Sequence, residues 1–133
     1  MKKHARTVIL LLAVGAIAAT TACDDSDVGV VRQSWTIEGR TEPQSCTAVN
    51  AAQMRLVAID PFGVVRGTEF TSCTSFQGTL RLIPGVYSIA ATFLSADGRA
   101  VSRTLTRDGV SVVDDEDTDY TVDFPLSVFL GQP

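Results

Sequence analysis

The chain has 133 residues, with 11 basic and 15 acidic side chains for a net charge of −4, one histidine and three cysteines. A chain of this length supplies one hydrophobic core rather than two. Its acidic balance excludes nucleic acid as a partner, and electrostatic adhesion to anionic lipid with it, since both require a cationic surface.

The first residues, MKKHART, place Lys2, Lys3 and Arg6 ahead of the apolar run Val8 to Ala19, and no acid precedes Asp24. A positive start, a short apolar run and then small residues are the order of a secretory signal. Crossing a bilayer takes about 20 apolar residues, so the run is too short for a comfortable transmembrane anchor. Thr20-Thr21-Ala22-Cys23 follows. It resembles the lipobox of bacterial lipoproteins, in which an aliphatic residue and two small residues precede the modified cysteine; Thr20 stands where the aliphatic residue is usual. The resemblance implies cleavage after residue 22 and acylation of Cys23, palmitate included. The product would be held at the cell membrane or outer membrane, facing periplasm or exterior. In some proteobacteria an aspartate at the position of Asp24 favours the inner membrane. The competing cut is an ordinary signal-peptidase site at the same small residues, which leaves Cys23 a free thiol.

Removal of residues 1–22 leaves eight arginines against fifteen acids, a net charge of −7, with no lysine and no histidine. The charge balance alone gives the expectation that contact with the membrane then comes from the lipid anchor. Cys46 and Cys73 are the other cysteines. An oxidising compartment predicts that they pair, closing a loop worth about 3–4 kcal/mol of unfolded-state entropy. Two buried free thiols are the alternative; a zinc site lacks histidine and further thiols.

Residues 23–33 read as a lipidated N-terminus and acidic, glycine-interrupted tether, and residues 34–133 as a single domain. Trp35 and Ile37 alternate with polar neighbours as in a half-buried strand, which Glu42-Pro43-Gln44-Ser45 breaks. QMRLVAID (53–60) is a second strand, closed by the turn Asp60-Pro61-Phe62-Gly63. VVRGTEFTSC and GTLRLI follow, the latter with Leu80 and Leu82 on one face. Pro84-Gly85 fits the centre of a type II turn, with positive φ at the glycine. VYSIAATFLS (86–95) places Tyr87, Ile89, Ala91 and Phe93 on one side, and the hairpin dipeptides Asp97-Gly98 and Asp108-Gly109 predict two further reversals. Tyr120, Val122 and Phe124 close the series, and no stretch has helical periodicity. Seven or eight short strands between regular turn signals predict an all-β, antiparallel, immunoglobulin-like sandwich with one disulfide.

Trp35 to Gly98 also resembles the prealbumin-like, or carboxypeptidase-regulatory-like, β-sandwich of bacterial envelope proteins. Trp35, Ile37 and Gly39, then Met54, Leu56 and Ala58, and above all TLRLIPGVYSIAATF carry the likeness. Where that family often has a Thr-Asp turn and a glycine before its Phe, this chain has Thr71 to Phe76 with Cys73 among them. The resemblance implies that a disulfide holds the corner.

The chemistry available after cleavage is thin. The usual neutral-pH base and the usual activators of a nucleophile are absent, and Cys46 and Cys73 are expected to be oxidised. Asp60 and Glu69 flank one turn region and would be the pair for a carboxylate hydrolase. Asp115, Asp117 and Asp119 in DDEDTD imitate the first ligands of an EF-hand, but Tyr120 takes the glycine position and Leu126 that of the closing glutamate. They remain candidates for a weak calcium site in an otherwise solvated loop. Trp35 and Tyr87 belong to the core by their alternation rather than to a ligand platform. The apolar ending PLSVFLGQP completes a strand, or else is an exposed docking segment. The expectation is a non-catalytic, lipid-anchored structural or protein-interaction module of the envelope, without a cofactor. A ligand- or calcium-binding domain and a hydrolase are the alternatives.

Overall fold

In the computed structural model, which describes residues 27–131, Gly29–Ile37 form strand β1, and their side chains alternate between interior and solvent along its whole length. The strand begins five residues before the expected domain start, so residues 29–33 belong to the sheet and not to a tether. β1 is central to a three-stranded sheet. It pairs antiparallel with β4 (Gln77–Leu82) and parallel with β7 (Asp117–Phe124). The parallel pair departs from an all-antiparallel sandwich, and the intervening strands supply the long crossover that parallel pairing requires. The second sheet has the order β3-β2-β5-β6, formed by Val65–Ser72, Gln53–Ile59, Gly85–Leu94 and Leu105–Val112. Among the described residues, seven strands in two facing sheets make the all-β sandwich that the turn spacing predicts.

The core lies between the sheets. Val31, Trp35, Ile37, Leu80, Leu82 and Phe124 meet Met54, Leu56, Ala58, Ile89, Ala91 and Phe93. Trp35 and Tyr87 are both buried, as their alternation requires. Phe93 is the hub of an aromatic cluster, edge-on to Trp35 at 6.1 Å and to Phe124 at 4.7 Å, and stacked on Phe129 at 5.4 Å.

Four local expectations change. The expected break at residues 42–45 contains a helix, α1 (Pro43–Ala48), with Pro43 in its first turn where a missing N–H costs nothing. Under two turns long, it has no periodicity to detect. Pro84-Gly85 is a crossover between sheets, from the end of β4 to the start of β5, and Gly85 does not take a positive φ. The Tyr87 hydroxyl donates to the Ile83 carbonyl at 2.7 Å, and the Tyr87 ring packs 3.5 Å from where a Gly85 Cβ would stand. Asp108-Gly109 is a bulge inside β6 rather than a reversal: the register slips between Tyr87 and Ile89, Gly109 has φ +71°, and the Ser88 hydroxyl donates to Asp108. The described part of the chain ending, to Gly131, does not add a full strand. Leu126–Val128 form a 3₁₀ turn, and Phe129 pairs with Ser102 in a single bridge and is buried.

Candidate functional site

The two ends of the sandwich differ. β1 carries the chain from one end to the other, where Glu38 and Gly39 turn it with φ of +52° and +74°. Ile37 and Arg40 exchange backbone hydrogen bonds of 3.0 and 2.9 Å across this two-residue turn. Two consecutive left-handed residues are the mark of a type I′ turn, for which Asn-Gly is the favoured pair. Glutamate in the first place is strained. Asp123 at the end of β7 holds the turn, one carboxylate oxygen accepting from the Thr36 hydroxyl at 2.6 Å and from the Gly39 N–H at 2.8 Å.

Helix α1 stands beside this turn. A six-residue helix is unstable by itself, and Cys46 is its only buried side chain. Its bond to Cys73, with the Cα atoms 6.1 Å apart, fastens it to the 3₁₀ corner between β3 and β4. That corner is fixed from inside, since the buried Trp35 indole N–H donates to the Cys73 carbonyl at 3.1 Å. The expected disulfide is therefore present, joining α1 to the core.

Between the turn, α1 and Leu126 lies a half-open cleft of about 590 Å³. Glu38, Arg40 and Glu42 are exposed on its rim, and Ile37, Val49 and Leu126 supply apolar wall. Two carboxylates and one guanidinium around a short apolar floor suit a peptide segment that presents a cationic side chain beside an apolar one. Sequence reasoning missed these residues because it ended the strand at 42–45. Glu38-Gly39, a turn dipeptide straight after an alternating strand, was the available signal.

A second, smaller cleft of about 260 Å³ opens between β6 and β7. Gln33 reaches it from β1; it is 1% exposed, accepts from the Tyr120 hydroxyl at 2.7 Å, and its Nε2 meets no hydrogen-bond partner among the described residues. Burial pushes the Tyr120 phenol up to about 12, while Arg107, 4.5 Å above the ring, pulls it down.

The other expected site residues do not converge. Cys23 lies outside the described residues. Asp117 and Asp119 both face Arg32 Nη1, at 3.3 and 3.2 Å, while Asp115 sits in the preceding loop with φ +63°. Among the described residues no three ligating side chains gather around a point that could hold a metal ion. Asp60 is occupied by its own turn. Its carboxylate accepts from the Val64 and Phe62 N–H groups, each at 2.9 Å, and from Arg66 Nε at 2.8 Å. These bonds, that from Val64 foremost, hold the Asp60 carboxyl below the ordinary carboxylate range. Glu69 lies opposite Leu56, four residues along β2 from Asp60 and so on the order of 13 Å away, too far for a catalytic pair.

No family model matches the sequence, and no curated protein does. Among solved structures the chain is similar to part of a 9R-lipoxygenase from Cyanothece PCC8801, with 7% identity and a TM-score of 0.40. The alignment covers 90% of this chain and 19% of the lipoxygenase, so the chain spans about a fifth of that protein's length.

Proposed function

We propose that this protein is an exported, lipid-anchored β-sandwich of the prealbumin-like kind that performs no catalysis and presents the cleft beside α1 to a protein partner in the cell envelope. The lipobox-like Thr21-Ala22-Cys23 supports the anchor. Glu38 carries the interaction reading: a charged side chain occupies a turn position where asparagine or glycine relieves strain, and it stands on the rim of the larger cleft. The partner is a protein with a basic residue next to an apolar one. Among the described residues the cleft is lined by no histidine, lysine or free thiol that could start a reaction, and its ionisable side chains are solvated.

Photo-crosslinking in the native host tests the reading, with the reactive side chain at Gln44 in the cleft and, as control, at Thr68 on the exposed face of β3. A discrete adduct from Gln44 alone, lost on Glu38→Asn, is the expected result. Equal labelling from both positions refutes an interaction site at the cleft. Intact-mass analysis of the same material tests the anchor; an unacylated chain that retains Met1 refutes it.

A further inference from the structure

The end of the sandwich opposite the cleft has a different surface. It gathers the start of β1, the Asp60–Val64 turn between β2 and β3, the Ile83-Pro84 crossover, and the loop from β6 to β7. By strand register, six of the nine large apolar side chains exposed among the described residues lie at this end: Phe62, Val64, Val65, Ile83, Val86 and Val113. Of the other three, Phe70 lies on the outer face of β3, while Leu126 and Leu130 lie near the far end. A single exposed phenylalanine requires no explanation, but a cluster confined to one end marks a contact surface. Phe62 is 88% exposed at the tip of a turn that Asp60 holds through three hydrogen bonds. Its backbone is held by the Asp60 carboxylate, and its ring projects from the surface.

The chain also enters the domain here. The Asp115 N–H donates to the Val28 carbonyl at 3.0 Å, and a Cβ on Gly29 would come within 2.3 Å of the Val113 carbonyl oxygen, so this segment is clasped against the apolar rim. From Cys23 to Gly29 is six residues, a reach of about 20 Å at full extension. The headgroup layer of one leaflet takes up about 5–8 Å of that distance. A lipid on Cys23 thus holds this end against the bilayer, where the encounter is intramolecular.

We infer that the rim of Phe62, Val64, Ile83, Val86 and Val113 docks on the membrane surface, with Phe62 inserted among the headgroups, and points the α1 cleft away from the bilayer. This inference rests on the acylation of Cys23. Asp114, Asp115 and Glu116, exposed beside Val113, outnumber the exposed Arg81 opposite Val30 at the same end and select a zwitterionic surface over an anionic one.

The acylated protein, carrying either Phe62→Trp or Leu126→Trp, is reconstituted in phosphatidylcholine vesicles that contain acyl-brominated lipid. Both positions are exposed, so neither substitution threatens the fold, and the native Trp35 is buried. The expected result is a blue-shifted tryptophan at 62, quenched several-fold more strongly than that at 126. Replacing a third of the lipid with phosphatidylglycerol reduces the quenching, and salt restores it. Vesicle flotation without selective quenching at 62 overturns docking and leaves the anchor standing. Failure to float overturns both. Quenching that is absent at one copy per nanodisc, with a blue shift that grows as copies crowd, assigns the surface to a second copy of the chain and overturns the membrane as its occupant.

Discussion

Alanine at Cys46 or Cys73 opens a covalent closure that spans 27 residues. The loop-entropy relation for that separation gives about 3.5 kcal/mol at 25 °C, a large part of the stability of a domain of this size. It corresponds to a fall in Tm of roughly 14 °C or more. The loss has a location as well as a size. Cys46 is the only buried side chain of α1, whereas Cys73 stays tied to the core through its carbonyl, which receives the Trp35 indole N–H. Helix α1 and the cleft it borders therefore loosen first. Urea unfolding of Cys46→Ala, Cys73→Ala and the double variant should give losses equal within about 0.5 kcal/mol, with the double no worse than the larger single. Amide exchange should lose protection around Val49 to Ala51, whose N–H groups bond to the Cys46 and Thr47 carbonyls. Single losses that differ by more than about 1 kcal/mol, or that add in the double variant, refute the shared constraint.

Gly29→Ala should cost about 2 kcal/mol by forcing apart the β1 start and Val113, whereas exposed Thr68→Ala should stay within about 0.5 kcal/mol; equal effects in urea unfolding count against the close approach. Removing both partners of the buried polar pair, as Gln33→Leu with Tyr120→Phe, should leave stability unchanged or raise it by about 1 kcal/mol, because an unpaired amide leaves the core; a loss of more than about 1 kcal/mol would show that the amide is satisfied in solution. Tyr120, with its folded pKa raised to about 12, favours folding fully below the unfolded value near 10, and that contribution disappears as pH rises through 12. Alkaline unfolding should therefore steepen between those values and flatten in Tyr120→Phe. At the other extreme Asp60, with its folded pKa lowered, contributes stability above the ordinary carboxylate range that is lost as pH falls through its folded value, and Asp60→Asn should blunt the acid limb of a thermal-melt series.

The sandwich was legible because its strands alternate over lengths that few other structures tolerate. Trp35 with Ile37, Met54 with Leu56 and Ala58, and Tyr87 through Phe93 carry their burial in their spacing. Local dipeptides were less informative, because one backbone conformation serves several purposes. Asp97-Gly98 and Asp108-Gly109 both supply a left-handed glycine, yet the first turns the chain and the second bulges a continuous strand. Only the neighbouring strand decides between them, since Ser88 and the register of β5 demand an extra residue at 108–109. The parallel β1–β7 pair was not legible either. It joins residues 87 positions apart, and no local signal encodes which edge of β1 a distant strand takes. Helix α1 failed for a different reason: its amphipathic face is one cysteine wide, and tertiary attachment rather than periodicity makes it a helix.

The direction of β1 links these features to the proposed role. It is nine residues long, so it spans about 30 Å from the rim where the chain enters to the turn at Glu38. The next element in the chain, α1 with its disulfide, therefore lies at the end remote from Gly29, where β1 begins. The strand between is well anchored for transmitting an orientation: it is hydrogen-bonded on both edges, and its inner face carries Val31, Trp35 and Ile37 in the core. An anchor at one end of such an element fixes where the other end points, which a flexible tether to residue 33 would not. Lengthening the segment between Cys23 and Asp27, ahead of the Val28 carbonyl that Asp115 holds, with a Gly/Ser insert should release that constraint without affecting the fold. Crosslinking from Gln44 to a partner fixed in the envelope should then weaken while Tm stays unchanged. An insert that lowers Tm would place residues before Asp27 within the folded unit, and one that leaves crosslinking intact would mean that the cleft does not depend on the membrane for its orientation.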